Sequence, residues 1–181
     1  TFAELCNNQN DILKSEIIKM DIYTYAMQME KDGREYYEDM AQKTSNPGFK
    51  SILKRMADAE VKHYKTLLAM KKNEKTAFDT DTEIFKQAKN VFTEIKEAGK
   101  GFDSEASHVD LYQKALEIEK QSHTFYTEKA EEENDPHKKD IILKIAAEEK
   151  DHCVLLSNMI EFISKPESWL ENAEWYHLDQ Y

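Results

Sequence analysis

Glu60-Val61-Lys62-His63 and Glu149-Lys150-Asp151-His152 each place a carboxylate and an imidazole three residues apart. On a helix, residues at that spacing share a face, so each pair can offer one cation an oxygen and a nitrogen ligand. A lone pair of this kind is usually a solvated surface pair. Here each has a companion glutamate upstream, Glu30 before Glu60 and Glu119 before Glu149, and all three members recur at an offset of 89 residues. Ligand-type residues therefore repeat in register without a gap.

Their neighbours say which way they face. Glu30 lies in the series Tyr23, Ala26, Glu30, Gly33, Tyr37, Met40, and Glu60 and His63 lie in Leu53, Met56, Glu60, His63, Leu67, Met70. The second half repeats this with Tyr112, Ala115, Glu119, Ser122, Tyr126, Ala130 and with Ile142, Ile145, Glu149, His152, Leu156, Met159. Spacings of three and four make each series one face of an amphipathic helix, with the glutamates pointing inward. An ionised carboxylate in an apolar interior costs several kcal/mol or gives up its charge. Two divalent cations would neutralise the four glutamates. Carboxylate-rich coordination with one imidazole per metal suits iron or manganese better than sulfur-seeking metals. The expectation is a two-metal site, with Glu30, Glu60 and His63 mainly on one ion and Glu119, Glu149 and His152 mainly on the other. Glu60 and Glu149 are expected to bridge, leaving coordination positions open to small molecules.

Tyr37 and Tyr126 lie two turns beyond Glu30 and Glu119 on the same faces. They read either as phenol donors to the bridging glutamates or as plain aromatic core. His123 is expected to be no ligand, because its repeat mate is Arg34. His108, His137 and His177 read as surface residues, and Glu117, Glu131, Glu132, Glu133 and Glu148 as solvated charges.

Four long helices would carry these residues. The patterns predict helices from Ile12 to about Lys43, Gly48 to Lys72, Ala106 to Glu133, and from Pro136 to about Ser164. Thr44-Ser45-Asn46-Pro47-Gly48 and Asn134-Asp135-Pro136 supply short turns, and Pro136 suits the first turn of the helix that follows. The segment 73–105 reads as a long crossover carrying a short helix over Ile84 to Ile95. Residues 165–181 read as a short amphipathic tail helix bearing Trp169, Leu170 and Trp175. The repeat maps Ala26–Leu67 onto Ala115–Leu156, including Tyr37/Tyr126 and Pro47/Pro136. The fold expected is all-α: two repeated helical hairpins in a four-helix bundle (12–164), in a single domain spanning 1–181.

Composition agrees. The 181 residues hold 4 Gly and 3 Pro, which favours few, long elements. A net charge of −11 argues against nucleic acid or an anionic membrane surface as partner. No apolar run is long enough to span a bilayer, and Thr1 to Asn10 carry no signal-peptide pattern. Cys6 and Cys153 form no Cys-x-x-Cys pair and read as free thiols in a reducing cytosol.

The segment Glu30-Lys31-Asp32-Gly33-Arg34-Glu35-Tyr36-Tyr37, the two Glu-x-x-His pairs, and Glu119 through Phe125-Tyr126 together resemble the rubrerythrin branch of the ferritin-like di-iron proteins. The resemblance covers about residues 12 to 164. It implies a ferritin-like bundle holding two iron ions, cytoplasmic location, a homodimer, and reduction of hydrogen peroxide. The sequence departs from the family in two respects. It has no cysteines for a rubredoxin-like iron module, so electrons are expected from an external donor such as a rubredoxin-like protein. Ser122 stands where rubrerythrins tend to carry an extra glutamate, leaving a more symmetric centre. The expected function is a di-iron oxidoreductase reacting with peroxide or dioxygen. Ferroxidase and iron handling on the same centre, or a metal-binding bundle with no catalytic role, are the alternatives.

Overall fold

The computed structural model describes residues 21–81, 83–98 and 109–164. These form α1 (Ile22–Lys43), α2 (Pro47–Lys71), α3 (Ile84–Ala98), α4 (Val109–Glu132) and α5 (Pro136–Ser164), with no strand among the described residues. α1 packs along α2 and α4 along α5, and the two hairpins meet through α1 with α4 and α2 with α5. α3 lies against α2 as part of the crossover. The tail 165–181, residues 99–108 and residues 1–20 lie outside the described residues, so the tail helix and the earliest part of the first helix do too.

One boundary differs from the periodicity. An unbroken helix from Ile12 fails at Asp21, whose backbone is not helical (ψ 134°) and which stands just before α1. Its carbonyl accepts the amides of Thr24 and Tyr25 at 2.8 and 3.1 Å, and its carboxylate pairs with Lys71 at 3.0 Å. Hydrophobic spacing reports a buried face and is blind to such a start.

The two hairpin turns are built alike. Asn46 Oδ1 accepts from the Gly48 and Phe49 amides at 2.9 and 3.1 Å. Its repeat mate Asp135 accepts through Oδ1 from His137 and Lys138 at 2.9 and 3.2 Å. In each turn the proline follows at the first helical position, where a missing N–H costs nothing. α2 ends differently. Asn73 adopts φ 54°, the left-handed geometry that asparagine tolerates, and turns the chain into the crossover.

Two apolar clusters fill the bundle. One gathers Phe49, Phe92, Tyr112 and Phe162, with Phe49 edge-on to the other three at centroid distances of 5.7–6.1 Å. The other gathers Ala26, Leu67, Met70, Phe78, Tyr126 and Ile145. Along α2, Met56 belongs to the first and Leu67 to the second, so Glu60 and His63 occupy the interval between two dry cores.

The crossover helix approaches the first hairpin closely at Gly48. A Cβ built there would lie 2.4 Å from Val91 Cγ1. Valine is stiff at χ1 and cannot swing clear cheaply. Gly48→Ala is expected to destabilise the fold by about 1–3 kcal/mol through overpacking, read as a lower urea midpoint with unchanged slope. A midpoint equal to or above that of the parent would contradict the close approach.

Candidate metal centre

α1 supplies Glu30, α2 Glu60 and His63, α4 Glu119, and α5 Glu149 and His152. All six residues are buried, none more than 3% exposed. Ligand atoms of Glu30, Glu60, His63 and Glu149 lie within 4.8 Å of one another, as do those of Glu60, Glu119, Glu149 and His152. Glu60 and Glu149 stand in both groups, and each group draws on both hairpins.

The histidines aim the same nitrogen inward. His63 Nδ1 lies 3.1 Å from Glu30 Oε2, 3.0 Å from Glu149 Oε1 and 3.5 Å from Glu60 Oε2. His152 Nδ1 lies 3.3 Å from Glu60 Oε1, 3.6 Å from Glu119 Oε2 and 3.7 Å from Glu149 Oε2. Despite this proximity, Glu60 Oε1, Glu119 Oε2, Glu149 Oε1 and His152 Nδ1 are buried without a hydrogen-bond partner. An orphaned buried acceptor costs about 1–3 kcal/mol, more when charged. Several converging on one point, all carboxylate oxygen or imidazole nitrogen, form a donor set able to hold a metal rather than a closed hydrogen-bond network.

The electrostatics of the metal-free chain are those of crowded carboxylates sharing protons. Burial, and then the neighbouring Glu60, push Glu30 well above the ordinary 4.5; burial and Glu149 do the same to Glu119. Burial works on Glu60 and Glu149 as well. There it is outweighed by the close approach of polar groups, of Glu30, His152 and His63 to Glu60, and of Glu119, His152 and His63 to Glu149, which holds both below 4.5. Burial alone would lower the histidines. The surrounding glutamates override it and raise both well above 6.5. Protons thus occupy the role that cations would take.

The phenols cross between the hairpins. Tyr37 on α1 donates to Glu119 Oε1 on α4, and Tyr126 on α4 donates to Glu30 Oε1 on α1. The two bonds are related by the same 89-residue offset as the ligands. Their acceptors are the companion glutamates, not the shared pair expected from sequence. Two turns along one face carry a tyrosine past its own hairpin's acids and onto the opposite hairpin. Burial, and then the acceptor glutamates, keep both phenols protonated, as donors must be.

A family model described as Rubrerythrin matches residues 21–160, the greater part of the chain. The chain belongs to the rubrerythrin family. Comparison with curated proteins and with solved structures gives no significant match. The buried carboxylate and histidine cluster fits a di-iron protein of this family. In this rubrerythrin-family chain Ser122, the repeat mate of Gly33, is buried beside the site on α4. No helix among the described residues is long and apolar enough to cross a membrane.

One residue was misread from sequence. Glu148, taken for a solvated charge, is 3% exposed. Its Oε2 lies 2.9 Å from His63 Nε2, and its Oε1 accepts from the Asp81 amide at 2.6 Å and lies 3.4 Å from Lys62 Nζ. It sits one residue off the seam, inside the charged run Glu148-Glu149-Lys150-Asp151, where pattern reading assigns charges to solvent. The available signal was its repeat mate, Ala59, an apolar residue at the equivalent position. Phe78 was also missed as a neighbour: its ring lies 5.5 Å from that of His63 and closes the site from the crossover side.

The remaining histidines stand apart from both groups. His123 Nδ1 donates to the Ala146 carbonyl at 2.9 Å, bracing α4 on α5. His137 is exposed and reaches the Thr76 carbonyl at 2.8 Å. His108, His177 and Cys6 lie outside the described residues. Cys153 is a free, half-buried thiol that burial pushes up to about 12.

Proposed function

We propose that this protein is a non-haem di-iron oxidoreductase of rubrerythrin type, reducing hydrogen peroxide or dioxygen with electrons from an external donor protein. The observation that carries this is the pair of overlapping four-residue groups sharing Glu60 and Glu149 in a buried interior. Glu30, Glu60, His63 and Glu149 would hold one iron, and Glu60, Glu119, Glu149 and His152 the other. Two ferrous ions held there would supply two electrons and a charge clamp for an oxidant, the chemistry that a two-electron reduction of peroxide without radical release needs.

The chain's own residues set the terms of that chemistry. Glu60 and Glu149 fix the separation of the two positions by belonging to both. Tyr37 and Tyr126 orient Glu119 and Glu30 through the oxygen not needed for coordination, as supporting groups commonly do. The apolar clusters on either side exclude bulk water, which strengthens every charge interaction between them. Reducing one peroxide to two waters consumes two electrons and two protons.

Anaerobic loading of metal-free protein with two equivalents of ferrous ion, followed by substoichiometric peroxide, tests the reading. One peroxide is expected to disappear per two ferrous ions oxidised, followed as ferric absorption in the near ultraviolet and as residual peroxide. Oxidation by air that outpaces oxidation by peroxide, with iron then accumulating beyond two per chain, would favour ferroxidase and iron handling. Failure to retain iron would overturn both.

A further inference from the structure

The two halves of the site are alike in their inward-facing ligands and unlike behind them. His63 presents Nδ1 to Glu30, Glu60 and Glu149, and its other nitrogen meets Glu148 Oε2 at 2.9 Å. Glu148 is itself fixed by the Asp81 amide. Asp81 is clamped in turn by Arg55, whose Nε and Nη2 each reach its carboxylate at 2.6 Å, and Arg55 Nη1 holds Gln87 of the crossover helix at 2.9 Å. In the other half, the position related to Glu148 by the repeat is Ala59, whose methyl group offers no acceptor.

We propose that Glu148 is a positioning residue that makes the two metal positions unequal, with the position at His63 the tighter. This rests on the two-metal reading above. A carboxylate accepting from the far nitrogen of a ligating histidine fixes the tautomer, leaving Nδ1 as the bare lone pair. It also locks the ring plane and makes the ligand nitrogen more electron-rich. Loss of such a partner typically costs about 10–100-fold in metal affinity. His63 has this support and the repeat gives His152 none at the matching position, so filling is stepwise. The first metal goes to Glu30, Glu60, His63 and Glu149. The second, more exchangeable, goes to the His152 side.

The test uses the full chain, metal-free, titrated anaerobically with Co(II), which reports binding by absorption and calorimetry without turnover. The wild-type protein is expected to show two classes of site at least about tenfold apart. Crystals prepared with one equivalent are expected to show anomalous scattering at the His63 position. Glu148→Gln keeps the shape and loses the charge, and is expected to weaken the first class about 10–100-fold while leaving the second where it was. Should that variant fail to fold, Glu148→Asp, which ends one methylene short of Nε2, is expected to give the same collapse of the difference. Equal filling of both positions in the wild type, or a variant isotherm that overlays the wild type, would overturn the proposal. Absence of any Co(II) binding would instead overturn the two-metal reading on which it rests.

Discussion

Glu60→Ala is expected to empty both metal positions, whereas Glu30→Ala is expected to weaken only one. Glu60 stands in both four-residue groups, and Glu30 only in the group containing His63. With two metals held as proposed, removing Glu60 would take an oxygen from each at once and leave two buried imidazoles beside fewer negative charges. The loss in affinity should exceed, at both positions, the roughly 10–100-fold that follows loss of a mere supporting hydrogen bond. Metal content after dialysis against micromolar metal decides it. Near-zero occupancy is expected for Glu60→Ala and about one equivalent for Glu30→Ala. A Glu60→Ala protein that kept one equivalent at wild-type affinity would show that the shared position of this carboxylate has no part in coordination.

Stripping the metal is expected to lower the melting temperature, by a margin that grows with pH. In the metal-free chain His63 and His152 are held above 6.5. Their stabilisation is fully present below that value and is lost as pH rises through the raised folded values. Glu30 and Glu119, raised above 4.5, act in the same direction, because the folded chain favours their neutral forms. Glu60 and Glu149, held below 4.5, contribute stability above that value and lose it on acidification. The metal-free protein is therefore most stable at mildly acidic pH and weakens towards alkaline pH.

Metal ions need the same ligands deprotonated, so their binding strengthens over that range and releases protons. A metal present at a thousand times its dissociation constant adds about 4 kcal/mol. At roughly 2–4 °C per kcal/mol for a chain of this size, calorimetry with and without chelator should show a gap of about 10 °C or more near pH 8. Near pH 6 the gap should be smaller. Coincident melts near pH 8 would refute the coupling of ligand charge to folding.

The helices and the site differ in how openly the sequence displays them. Four helix faces were legible because burial imposes spacings of three and four, and the two short turns because each carries a proline among turn-forming residues; the caps that Asn46 and Asp135 make within them were not. The convergence of Glu30, Glu60, His63, Glu119, Glu149 and His152 was legible because acids on apolar faces are too costly to bury unless cations or protons compensate them. Other features were hidden because they depend on which helix lies opposite. Glu148 turns inward only because His63 on α2 faces α5 at that level. Tyr37 finds Glu119 rather than its own hairpin's acids only because α1 meets α4. Asp21 marks the start of α1 at a point where the apolar spacing shows no break. A single sequence records what each face is, and records its partner only where, as here, an internal repeat supplies a second copy to compare.

The crossed phenols carry a consequence for how the chain assembles. Each hairpin closes over a turn of three residues and can form from local contacts, which nucleate quickly. The bonds from Tyr37 to Glu119 and from Tyr126 to Glu30 span 82 and 96 residues and exist only after the hairpins dock. Neither hairpin alone holds either complete ligand group, since Glu149 completes the first and Glu60 the second. The centre therefore comes into being with the last and most distant contacts of folding. A chain with both hairpins formed but undocked would lack it, so metal uptake during refolding would time the docking step.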